Sequence, residues 1–126
     1  MLYLCVVALG GAIGSVLRYV CSGAVHRFWG SAFPWGTLTV NLAGSAVIGF
    51  LWAAFERSSV HPATRTFIMI GILGGFTTFS SFSLENLNLM RDGQFRVAAI
   101  NILVSNFFGI ALAFLGYKLF EVLAGR

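Results

Sequence analysis

The residues able to do chemistry in this chain concentrate in one segment. Gly71-Ile72-Leu73-Gly74-Gly75-Phe76-Thr77-Thr78-Phe79-Ser80-Ser81-Phe82-Ser83-Leu84-Glu85 combines three glycines with five hydroxyl residues, then ends on a carboxylate. Further polar groups stand in apolar surroundings: Arg18, Asn41, Asn101, Ser105 and Asn106. Hydroxyls, amides, one guanidinium and the rings of Phe79 and Phe82 describe a narrow lining that contains almost no acid. Phenyl edges carry the positive part of the ring quadrupole, while Arg18 and Asn41 supply N–H donors. Such a lining suits a small anion that accepts strong hydrogen bonds, with selectivity set by close fit and lining donors. No Walker motif, His/Cys metal cluster or nucleophile–base pair is present, which argues against an enzyme.

The elements that must position these groups are membrane helices. Of 126 residues, 58% are hydrophobic and 10% charged, whereas a soluble domain carries about 25% charged residues. Lipid must therefore solvate much of the surface. Crossing a bilayer takes about 20 apolar residues, and the pattern predicts four spans, near 2–25, 37–55, 66–90 and 97–123. The connections are short, so neighbouring helices run antiparallel in a single up-down-up-down domain. Trp29, Trp35 and Trp52 fall near predicted span ends, where interface aromatics collect. Small residues four apart (Gly10 with Gly14, Gly71 with Gly75, Ser105 with Gly109) permit close helix approach in lipid. The net charge of +4 comes from scattered basic residues with no basic stripe, so nucleic acid is not an expected partner. Cys5 and Cys21 are about 24 Å apart along one helix and cannot bridge within the chain. The first apolar stretch lacks a basic leader and is read as a span rather than a cleavable signal.

Polar groups in a span mark function by default, yet each has a plainer reading. Arg18 either snorkels to the interface or lines a path. Asn41 either caps a neighbouring loop or offers donors to a cavity. The glycine- and hydroxyl-rich run either packs as a continuous helix or breaks near Gly74 to Thr78, where freed carbonyls need burial or an ion. Phe79 and Phe82, three apart, share a helix face. Their alternation with Ser80, Ser81 and Ser83 beside the expected break favours a pore wall over plain packing.

Gly10-Gly11-Ala12-Ile13-Gly14 with Arg18-Tyr19, Gly36-Thr37-Leu38 leading to Val40-Asn41, and Gly74-Gly75-Phe76-Thr77-Thr78-Phe79-Ser80-Ser81-Phe82-Ser83 with Glu85 resemble the Fluc (CrcB) fluoride channels. The motifs cover three of the four helices in order. The resemblance implies passive fluoride export in a cell membrane by an antiparallel, dual-topology homodimer. It implies a central structural sodium ion on backbone carbonyls of Gly74 and Thr77 from both subunits. It also implies a fluoride pathway along Asn41, Phe79, Phe82, Ser80 and Ser83, with Arg18, Ser105 and Glu85 contributing. The chain departs from the family at Asn101, where several relatives place a tyrosine, and at Ser81, where threonine is common. The competing classes are a proton-coupled multidrug exporter, which needs a carboxylate on the first helix, and a purely structural membrane subunit. Residues 1–25 hold no Asp or Glu, and a structural subunit leaves the hydroxyl row unexplained.

Overall fold

The computed structural model describes residues 1–125. They form α1 (Leu2–Trp29), α2 (Trp35–Glu56), α3 (Pro62–Thr66), a π-helical segment (Phe67–Ile72), α4 (Leu73–Phe76), α5 (Phe79–Arg91) and α6 (Phe95–Leu123). Four stretches are long and apolar enough to cross a membrane: Leu2–Trp29, Trp35–Glu56, Pro62–Arg91 and Phe95–Leu123. The chain is an all-helical multi-pass membrane protein. Leu4, Phe107 and Ile110 are well exposed, whereas the buried apolar core reduces to residues such as Leu38, Val40, Leu73 and Ala98. That inversion follows when lipid tails are as good a solvent for leucine as another helix is.

The helices run past the sequence-derived limits at several ends. α1 continues to Trp29 past Arg27, whose charge suits the negative end of a helix. The third span starts at Pro62, which the fixed φ of proline favours at a first helical position. His61 caps it, its Nδ1 accepting from Ala63 N at 3.2 Å. Trp29 and Trp35 meet edge-on at 5.1 Å between ring centroids. At the other end of α2, Trp52 lies beneath the Arg65 guanidinium, 4.7 Å from its centroid.

Backbone contact at glycine holds the bundle together. A Cβ on Gly14 would come within 2.1 Å of Ile72 O, and one on Gly49 within 1.9 Å of Ala113 O. The first contact fixes α1 against the π-helical segment and α4; the second fixes α2 against α6. Association in lipid depends on this close van der Waals fit. Gly10, Gly71 and Gly75 share the first interface, each within reach of the opposing backbone.

Candidate functional site

The candidate segment is placed by two extended residues between α4 and α5. Thr77 (φ −85°, ψ 158°) and Thr78 (φ −151°, ψ 118°) are both extended. Thr77 N still donates to Leu73 O at 3.0 Å, ending the ladder of α4. Thr78 N is directed to Asn41 Oδ1 at 2.8 Å, and Ser81 N to the Thr78 hydroxyl at 3.1 Å. In an unbroken helix those two amides would serve the carbonyls of residues 74 and 77. The glycines stay helical as far as Gly75, and the interruption falls on the two threonines. A threonine hydroxyl gives the new helix a ready N-cap, which a glycine cannot offer.

Asn41 grips this interruption from α2. Besides accepting from Thr78 N, its Nδ2 donates to Thr78 O at 3.0 Å. One N–H of the amide is thereby engaged and the other is left over. Asn41 also lines a hollow of about 320 Å³ with Gly44, Gly74, Thr77, Thr78 and Phe79. Of the two sequence-based readings of Asn41, capping is therefore present together with the cavity position.

Three hollows adjoin. A wide mouth of about 680 Å³ lies among Ser22, His26, Thr37, Glu85, Asn88 and Asp92. A second, of about 330 Å³, is lined by Ser15, Arg18, Ser22, Thr37, Thr78 and Ser81. Ser22 and Thr37 wall both the mouth and the Arg18 hollow; Thr78 walls both the Arg18 and Asn41 hollows. Acidic side chains are confined to the mouth among these linings.

The remaining residues divide by helix face. Phe79 and Phe82 pack at 5.5 Å between centroids with planes inclined by 39°. The first ring is 77% exposed and the second 9%. Ser80 and Ser83 are exposed too; the Ser83 hydroxyl donates to Phe79 O at 2.9 Å. Glu85 turns away from this pair, because two residues along a helix rotate a side chain by about 200°. Its Oε1 accepts from the Thr37 hydroxyl, and its Oε2 is buried with no partner among the described residues. Glu85 thus belongs to the mouth rather than to the end of the Ser80–Ser83 row.

On α6, Ser105 donates to Asn101 Oδ1 at 3.3 Å. Asn101 Nδ2 donates to Asn86 Oδ1 at 3.1 Å, and Asn86 Nδ2 donates to Phe82 O at 2.7 Å. Asn106 bonds back to Ile102 O on its own helix and stays exposed. The sequence reading missed Asn86 and the pairing of Thr37 with Glu85. The available signal for Asn86 was an amide one helical turn beyond Phe82 in a run with few other reasons for polarity.

The chain from residue 5 to residue 117 matches the family described as CrcB-like protein, Camphor Resistance (CrcB). A protein of Magnetococcus marinus named fluoride-specific ion channel FluC is 52% identical over 111 residues, covering 87% of this chain and 90% of that protein. The protein of the same name from Opitutus terrae is 50% identical over 114 residues, covering 88% and 86%. One from Thermus thermophilus is 45% identical over 119 residues, covering 94% and 95%. With residues 5–117 matched by the family model and relatives 45–52% identical over 87–94% of the chain, the protein belongs to the CrcB family.

Proposed function

We propose that the protein is a fluoride-selective channel that lets cytoplasmic fluoride leave the cell down its electrochemical gradient. The observation that carries this reading is the adjoining series of hollows, in which acid is confined to the mouth while Arg18, hydroxyls, the Asn41 amide and the Phe79 ring line the other two. Relatives named as fluoride-specific channels support it. Arg18, Asn41, Ser80, Ser83 and Ser105 offer N–H and O–H donors, and Phe79 and Phe82 offer positive ring edges. Glu85 holds Thr37 at the entrance. No chemical step is required: a negative-inside potential drives the anion outward by about 2.3 kcal/mol per charge per 100 mV. Liposomes loaded with fluoride and carrying purified protein should empty when a potassium ionophore clamps the voltage. Chloride leaving as fast as fluoride would overturn the selectivity.

The working unit is an antiparallel homodimer with the helix interruption at mid-membrane. The carbonyls of Gly74 and Thr77 are left by the diversion of the Thr78 and Ser81 amides, and backbone oxygens suit a hard cation. These residues fit a structural sodium ion shared between two subunits at that point, which would satisfy carbonyls that lipid cannot. Dual insertion rests on charge. One face carries Arg57, Arg65, Lys118 and Arg126 and the other Arg18, Arg27, Arg91 and Arg96, a balance of four against four. Arg126 lies outside the described residues; Arg57 and Lys118 support the grouping, since both pair with Glu121. Orientation follows an excess of Lys and Arg in cytoplasmic segments, and here no excess exists.

A further inference from the structure

We infer that Asn86 and Asn101 are positioning residues of the ion pathway, a buried amide relay that sets the placement of Phe82 and the orientation of the Ser105 hydroxyl. The inference rests on the channel reading for its meaning, while its geometry stands independently. Asn101 is 1% exposed and Asn86 4%. Two amides at that depth are costly in an apolar bundle unless every polar atom finds a partner. Leucines of similar size would join α5 to α6 by packing alone.

The relay has a direction. The proton of Ser105 points to Asn101 Oδ1, an N–H of Asn101 to Asn86 Oδ1, and an N–H of Asn86 to Phe82 O. Each bond orients the next group, and such chains polarise one another. The last link lies within α5 and ties the Asn86 amide to the Phe82 carbonyl one turn back. The middle link crosses from Asn101 on α6, so the rotation of α5 about its axis is referred to α6 through Asn86. A helix turns about 100° per residue, so a small rotational error in α5 carries Phe82 and the neighbouring Phe79 away from their places together. The first link holds the Ser105 O–H directed at Asn101 Oδ1. For Ser105 to donate to a passing anion, its hydroxyl must leave Asn101 Oδ1. Asn101 is thus the competing acceptor that determines how readily Ser105 donates.

The test uses full-length protein in liposomes, with fluoride release counted per reconstituted channel, and 4-fluorophenylalanine at position 82 as a reporter of ring environment by fluorine NMR. Asn86→Leu and Asn101→Leu should each slow per-channel fluoride release at least tenfold and shift or split the position-82 resonance. The double variant should be no slower than the slower single one, and Asn101→Leu added to Phe82→Ile should add nothing beyond its effect on Ser105, read as the loss in Ser105→Ala. Should leucine prevent folding, Asn86→Asp keeps the acceptor for Asn101 but removes the donor to Phe82 O, and must itself shift the resonance. Wild-type release with an unmoved resonance, whatever the change in unfolding midpoint, would reduce the relay to a packing feature and overturn the inference. So would single effects that multiply in the double variant. If wild-type protein releases no fluoride, the channel reading fails instead, and the fluorine resonance alone decides whether the relay positions Phe82.

Discussion

Replacing Asn41 by leucine removes both bonds that hold the extended turn, those to Thr78 N at 2.8 Å and Thr78 O at 3.0 Å, while roughly keeping side-chain volume. Thr78 is only 7% exposed. An orphaned buried group costs about 1–3 kcal/mol, so two give an upper range of about 2–6 kcal/mol. Side-chain bonds between membrane helices average about 0.6 kcal/mol in double-mutant cycles, so two give a floor of about 1.2 kcal/mol. The hollow beside Asn41 and Thr78 admits water to the orphans, which argues for the lower half of the range, about 2–3 kcal/mol. That corresponds to a roughly 30- to 150-fold shift in the unfolding equilibrium, at 1.4 kcal/mol per tenfold change. Equilibrium unfolding in detergent, followed by tryptophan fluorescence, reads it directly. Asn41→Asp retains the acceptor for Thr78 N but opposes Thr78 O with a second acceptor, and it places a negative charge on the proposed anion pathway. If the pathway runs past Asn41 as proposed, this variant should suppress fluoride release more completely than its stability loss explains. Unfolding of Asn41→Leu at the wild-type midpoint would refute the reasoning, since Asn41 would then line the cavity without supporting the interruption.

Phe79→Ile and Phe82→Ile roughly preserve volume and remove the positive ring edge; each should greatly lower fluoride release while gel filtration remains that of wild type. Gly14→Ala brings a methyl to within 2.1 Å of Ile72 O, an overpacking worth about 1–3 kcal/mol, and thermal unfolding in detergent should show the loss; an unchanged midpoint would mean that α1 moves freely there. Adding three lysines after the C-terminus should fix one orientation and abolish function, and co-expression with an oppositely biased variant should restore it; wild-type C-terminal reporters found on one side only would exclude dual insertion.

Much of this was legible in the sequence because lipid imposes so few solutions. Four apolar runs of sufficient length become four helices, and glycines four apart on α1 and the third span meet. The location of polar groups in those runs was equally plain. Their pairing was not. Whether Asn41 capped a turn or faced a hollow depended on Thr78 lying opposite, 37 positions away in the chain. Glu85 read as the end of the serine row because sequence order suggests a line, whereas the helix turns it toward Thr37. Asn86 drew no notice because its partner, Asn101, is on another helix. One-dimensional spacing identifies a face of a helix; it does not say which neighbour that face meets.

The wide turn at Phe67–Ile72 has a consequence for how this chain tolerates change in length. Bonding from residue i to i+5 takes one more residue per turn than the α-helical pattern. A single residue deleted there can be absorbed by tightening the turn, leaving Arg65 on Trp52 at one end and the threonines against Asn41 at the other. The same deletion in α5 has no slack to draw on and would rotate everything beyond it by about 100°. The third span is therefore adjustable upstream of its interruption and rigidly indexed downstream.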